Sequence, residues 1–243
     1  GEFVTLTTNV LGASLYQWSG PNFNTVPTAT NTLTLNSSNN NVAGNWTVRV
    51  TQFGCESEES AVTTVVVNNN PTANASVSPG AACEGSTVQF EASPNLVNGS
   101  YSWIGPNNFN SVSRTAVINH VGPNAEGTYI VTVTTAEGCS NSASVNLNVL
   151  QDVSIIAVSN NAPACLDGPV DIKLISTVFP EDDGTYEYLW TGPMGFTSTD
   201  SCAVIPNATA ANNGNYQLVV TSGDGCVSEM ETTVVDASNP PAT

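Results

Sequence analysis

Apolar and polar residues alternate along most of the chain. Trp46-Thr47-Val48-Arg49-Val50, Tyr129-Ile130-Val131-Thr132-Val133 and Tyr216-Gln217-Leu218-Val219-Val220 place their large side chains two apart. Val4-Thr5-Leu6, Val88-Gln89-Phe90 and Val170-Asp171-Ile172-Lys173-Leu174 do the same, and further runs cover Ala61 to Val67, Ala143 to Val149 and Glu231 to Val235. A period of two sends successive side chains to opposite faces of a strand, so each run predicts a strand with one buried and one wet face. β-Branched residues fill the runs, and Asn, Gly and Pro separate them. Sustained helical spacing is missing throughout. The pattern predicts an all-β chain.

The runs repeat as a set. Tyr16-Gln17-Trp18-Ser19-Gly20-Pro21, Tyr101-Ser102-Trp103-Ile104-Gly105-Pro106 and Tyr188-Leu189-Trp190-Thr191-Gly192-Pro193 recur with a Phe shortly after, at Phe23, Phe109 and Phe196. Gly44-Asn45-Trp46, Gly127-Thr128-Tyr129 and Gly214-Asn215-Tyr216 open the long alternating runs, and Gly54-Cys55, Gly138-Cys139 and Gly225-Cys226 close them. A fixed period of roughly 85 residues is too long for a solenoid turn and suits a small domain with its own core. Three domains follow, at 1–70, 71–150 and 151–243, the last including a C-terminal linker around Asn239-Pro240-Pro241.

About seven short strands per unit is the number that an immunoglobulin-like sandwich needs. The expected architecture is three such sandwiches in tandem, as an extended array, with the first lacking its N-terminal strand. Trp18, Trp103 and Trp190 then belong between the sheets on the third strand. Trp46, Tyr129 and Tyr216 belong at the start of the sixth, as in a tyrosine corner. Two residues beyond that corner, where immunoglobulins carry a cysteine, stand Val48, Val131 and Leu218. The usual inter-sheet disulfide is therefore not expected.

The cysteines follow the repeat instead. Cys83 and Cys165 precede the second strand of their units, and Cys139 and Cys226 follow the sixth. Recurrence predicts one bond per domain, Cys83–Cys139 and Cys165–Cys226, with Cys55 and Cys202 left as unpaired thiols. Idealised topology opposes that pairing, because the second strand begins at one end of a sandwich and the sixth finishes at the other. A disulfide needs Cα atoms within about 7 Å. Either the segment before the second strand doubles back, or the cysteines join differently.

Charge narrows the partners. The net charge is −17, with Arg49, Arg114 and Lys173 as the whole basic complement. Phosphate binding needs clustered cations, so nucleic acid is excluded as a partner, and an acidic membrane surface repels such a chain. No apolar run is long enough to span a bilayer, which argues against direct membrane insertion. In-domain cysteine pairs point to an oxidising, exported setting. Every aspartate lies at or beyond Asp152. Glu181-Asp182-Asp183-Gly184 offers oxygens of the kind that calcium prefers, and Asp152 stands at the second junction. The same Asp-Gly sequence is ordinary turn chemistry. No other cofactor is expected.

Catalysis has little to work with. His120 is the sole histidine, so a histidine-dependent triad or multi-histidine metal site has no partners. Glu91 and Glu126 form a carboxylate pair only if folding happens to join them, and nothing repeats them. Phe23, Phe109 and Phe196 suit either a packed turn or a recurring contact with sugar rings. An enzyme is therefore not expected, and the chain reads as a monomeric, non-catalytic segment.

Taken together, Cys-x-Gly, Val-x-Phe, Tyr-x-Trp-x-Gly-Pro-x-x-Phe, Gly-x-Tyr and Gly-Cys resemble the tandem Ig-like and PKD-like repeats of Bacteroidetes type IX-secreted surface proteins, such as the SprB-type gliding-motility adhesins. The Trp-Asp-Phe-Gly-Asp signature of PKD-like domains is missing, which favours the Ig-like branch. The resemblance implies export to the bacterial cell surface and a non-catalytic stalk and adhesion repeat. It also implies contact with an extracellular surface or polysaccharide. A glycan-binding segment and an accessory region of a secreted polysaccharide hydrolase are the alternatives.

Overall fold

The computed structural model describes residues 3–36, 40–162 and 170–237. The chain divides into two compact units, Gly1–Asn70 and Pro71–Thr243. Among the described residues the regular structure is strands joined by turns and short 3-10 segments. The fold is all-β and immunoglobulin-like.

In the first unit, Phe3–Thr7 pairs antiparallel with Thr32–Asn36. The facing sheet is built on Leu15–Gly20, which lies between Phe23–Thr28 and Gly44–Gln52. Alternation drives the packing. Leu6, Trp18, Leu33, Leu35, Trp46 and Val48 point inward and form one buried cluster, while the intervening residues face water. The opening strand Phe3–Thr7 occupies the place that Val88–Ser93 takes in the second unit. The strand matching Asn74–Ser78 has no counterpart among the described residues here.

The last strand of this unit differs from expectation. The run from Ala61 to Val67 predicts a strand, yet only Thr63–Val65 pairs with Gly44–Gln52. Just before it, Ser60 and Ser57 intervene. Their N–H groups donate to the Val48 and Val50 carbonyls, and their hydroxyls accept from the Val48 and Val50 N–H groups. Short side-chain oxygens thus replace backbone partners, satisfying the ladder while bending the strand away from it.

The second unit contains two sandwiches with separate cores. In the first, Asn74–Ser78, Val88–Ser93 and Thr115–Ile118 form one sheet. The other sheet runs Asn110–Ser111, Ser100–Ile104, Gly127–Thr134, Ser140–Leu150, and ends on Ala81–Cys83, which lies parallel to Ser140–Leu150. In the second sandwich Ser154–Asn160, Val170–Phe179 and Cys202–Ala208 face Thr197–Ser198, Glu187–Thr191, Gly214–Thr221 and Glu231–Val235. The cores are Phe90, Trp103, Tyr129 and Val131 with their neighbours, and Ile172, Leu174, Trp190, Tyr216 and Leu218 with theirs. Val131 sits directly across the ladder from Trp103, and Leu218 from Trp190. Apolar packing thus occupies the place of the immunoglobulin cysteine.

Candidate functional site

The most repeated phrase of the chain turns out to be one packing device used three times. Trp18, Trp103 and Trp190 are buried between the sheets. Four residues before each corner aromatic lies a carbonyl that it ties down. The Trp46 indole N–H donates to the Val42 carbonyl (2.9 Å), the Tyr129 hydroxyl to Ala125 (2.7 Å) and the Tyr216 hydroxyl to Asn212 (3.0 Å). Burial raises the Tyr129 and Tyr216 hydroxyls above the usual tyrosine range. The glycine of the Trp-x-Gly-Pro phrase is required by this ring. A Cβ on Gly20, Gly105 or Gly192 would stand 2.6, 2.4 or 2.4 Å from an atom of Trp46, Tyr129 or Tyr216. In return the following proline closes over the glycine before the corner, where φ is +131°, +135° and +140° at Gly44, Gly127 and Gly214. Phe23, Phe109 and Phe196 complete the device, with ring centroids 5.5, 5.1 and 5.3 Å from the same corner rings. They pack against the fold and are not free platforms for a sugar.

The tyrosine of each phrase fastens the preceding loop. Tyr16 donates to the Val10 carbonyl and Tyr101 to that of Pro94. Tyr188 donates to the Asp182 carboxylate at 2.9 Å. Burial, then the bond to Asp182 and its charge, push the Tyr188 hydroxyl up to about 12. The Asp182 carboxyl is pushed up by burial, but hydrogen bonds from Gly184 N–H, the Tyr188 hydroxyl and the Tyr186 and Thr185 N–H groups outweigh this and hold it below the usual range. Asp183 accepts from the N–H and hydroxyl of Thr185, and Asp152 from the N–H of Val153. These three carboxylates, expected as calcium oxygens, are engaged in local turns. Among the described residues no three His, Cys, Asp or Glu side chains gather closely enough to hold a metal ion.

The catalytic candidates are dispersed. Glu91 forms an ion pair with Arg114, while Glu126 accepts from the Val149 N–H. His120 is an exposed loop residue with φ +56°.

The cysteines overturn the expected pairing. Cys83 is bonded to Cys226, with Cα atoms 5.7 Å apart and a sequence separation of 143. The bond joins neighbouring sandwiches and does not lie within either. Each partner is placed by its own turn. Cys83 ends the strand that runs beside Ser140–Leu150, directly opposite Leu150, and the Glu84 N–H donates to the Leu150 carbonyl. It therefore stands where the chain leaves one sandwich. Cys226 lies in the tight turn after Gly214–Thr221, where Gly225 has φ +88° and the Cys226 N–H donates to the Ser222 hydroxyl. It is fully enclosed.

Cys139 occupies the matching turn of the preceding sandwich, with the Thr135 N–H donating to its carbonyl. It sits just before Ser140, so the whole strand Ser140–Leu150 separates it from Cys83. That distance is about 35 Å at the usual rise per residue, far beyond disulfide reach. A Cys83–Cys139 bond is excluded, and so is Cys165–Cys226, because Cys226 is already committed. Cys165 lies outside the described residues. Cys55 and Cys202 are exposed free thiols. Recurrence marks the right residue type, but the partner is set by the end-to-end placement of adjacent sandwiches.

Beside this junction is a shallow hollow lined by Gln151, Glu181, Asp183, Tyr186 and Asp224. No helix among the described residues is long and apolar enough to cross a membrane.

No protein-family model matches the chain, and no curated protein matches it in sequence. Solved structures do. The eight N-terminal Ig domains of Down Syndrome Cell Adhesion Molecule share 16% identity over 97% of this chain and 34% of that one, with a TM-score of 0.54. The chain thus spans about a third of that structure's length. The three N-terminal domains of the bacteriophage RB49 Highly Immunogenic Outer Capsid protein share 19% identity over 98% of this chain and 91% of that one, at a TM-score of 0.43. The Ig1–Ig3 ectodomain of mouse nectin-like molecule 4 shares 13% identity over 100% and 96%, at 0.40. Likeness at the level of the first shows an Ig-like fold.

Proposed function

We propose that this chain is a non-catalytic, load-bearing segment of an exported bacterial surface protein of the adhesion type. The observation that carries this reading is the Cys83–Cys226 bond across a domain boundary. A covalent link there does nothing for a reaction centre, but it fixes how one sandwich follows the next. Two further features support it. The recurrent aromatics are used up in packing, and the ionisable groups that catalysis would need are dispersed or engaged in turns. One structural neighbour is a cell adhesion molecule, which points the same way. The repeat's resemblance to Bacteroidetes type IX-secreted surface proteins supplies the setting, with gliding or attachment as the process served.

The test is retention under flow. Beads carrying the intact chain should hold to polysaccharide-coated or abiotic surfaces better than albumin-coated beads, without releasing reducing sugar from the coating. Retention equal to albumin on every surface would remove the adhesive part. Release of sugar would remove the non-catalytic part.

The hollow at Tyr186 favours a second reading, a glycan-binding segment. It offers one aromatic face among hydrogen-bonding groups. A glycan array that shows hits with the intact chain and loses them in Tyr186→Ala would select this reading over plain spacing.

A further inference from the structure

We infer that the Cys83–Cys226 bond is a mechanical shunt, which routes tension around the bodies of two sandwiches and leaves only their outermost strands exposed to it. Connectivity dictates this path. Cys83 ends Ala81–Cys83, which with Asn74–Ser78 makes the first two strands of its unit. Cys226 precedes Glu231–Val235, the last strand of that unit. Everything between them, including the junction at Gln151 and Asp152, lies inside a covalently closed loop.

Tension applied at the two ends of the unit therefore enters along the first strands, crosses the sulfur–sulfur bond and leaves along the final strand. The loop spans 143 residue steps. At about 3.5 Å of extended chain per residue, roughly 500 Å of contour length is withheld from the pulling direction. The segments outside the loop, up to Cys83 and beyond Cys226, can yield only about 100 Å on the same scale.

The same bond gives the joint a second crossing. The backbone passes from Leu150 to Val153, and the disulfide passes beside it, because Cys83 is the ladder partner of Leu150. A single short linker lets two sandwiches swing and twist about it. Two adjacent covalent crossings remove most of that freedom without requiring a large apolar interface.

This inference draws its biological purpose from the load-bearing reading above, but its physics stands apart from it. Single-molecule force spectroscopy on the intact chain, held by handles at both termini, decides it. The oxidised protein should release no more than about 100 Å from the second unit. The same protein in a thiol reductant should release roughly 500 Å more, while the contribution of the first unit stays unchanged. Cys83→Ser, which removes this bond alone, should release most of the same length in the absence of reductant. Because Cys226 is enclosed, the wild-type chain with and without reductant is the primary comparison, and it needs no variant to fold. Full release from the oxidised chain, or no gain on reduction, would overturn the shunt. A working shunt in a chain that fails the bead assay would leave this inference standing and remove only the adhesive role.

Discussion

Replacing Gly105 by Ala should unfold the middle sandwich at a markedly lower temperature. The added Cβ would stand 2.4 Å from Cδ1 and 2.6 Å from Cε1 of Tyr129. That ring has no easy retreat. It is fully buried, lies 4.2 Å from the Phe90 ring and 5.1 Å from the Phe109 ring, and is anchored by its hydroxyl to the Ala125 carbonyl. Overpacking of this kind costs about 1–3 kcal/mol. For a domain of this size each kcal/mol moves the midpoint by about 4–8 °C, so a 2 kcal/mol loss lowers it by roughly 8–16 °C. The assay is hydrogen exchange with mass spectrometry during a thermal ramp, reading peptides across Ser100–Ile104 and Gly127–Thr134. Gly122→Ala is the control. Its φ is −116° and a Cβ there meets nothing within 4 Å, so it should leave the midpoint unchanged or raise it slightly. Gly105→Ala melting together with Gly122→Ala would refute the claim that the Trp-x-Gly-Pro phrase exists to seat the corner ring.

Other expectations follow from the same contacts. Trp103→Phe should cost about 1 kcal/mol more than Trp190→Phe in denaturant titrations, because the Trp103 indole N–H donates to the Ser113 carbonyl while that of Trp190 is buried with no partner among the described residues. Asp182 titrates below its ordinary range in the folded chain. Its contribution to stability is therefore complete above the unfolded carboxylate value and is lost as pH falls through the lower folded one. Midpoints measured from pH 6 down to pH 2 should fall less steeply for Asp182→Asn than for the wild type, and parallel curves would contradict this. Without reductant, maleimide should label Cys55 and Cys202 in the folded chain and leave Cys83 and Cys226 untouched.

Much of the fold could be read from the sequence because local rules and tertiary packing agree. Alternation in Gly127–Thr134 alone identifies which side chains enter the core, and Val131 and Val133 are indeed enclosed. The corner aromatics were recognisable from the glycine two residues before them. The reason for the distant glycine at position 105 was not, because it depends on a ring brought across from another strand. Phe109 could be read as packing or as a contact, and only the ring geometry separates the two. The break before Thr63–Val65 has no sequence signal, because Ser57 and Ser60 resemble ordinary strand-surface residues and only the fold lets their hydroxyls take over ladder bonds. The disulfide is the feature least legible in the sequence. Spacing within a repeat suggests a partner in the same domain, whereas the bond is set by the end-to-end placement of two domains. The one available warning was that Cys83 and Cys139 belong to opposite ends of a sandwich.

The central claim is that covalent linkage runs between neighbouring sandwiches, and a disulfide map by mass spectrometry of a non-reduced digest tests it most directly. The account predicts a linked pair of peptides, one carrying Cys83 and the other Cys226, which separates on reduction. Peptides linking Cys83 to Cys139, or Cys165 to Cys226, would contradict it and return each bond to a single domain.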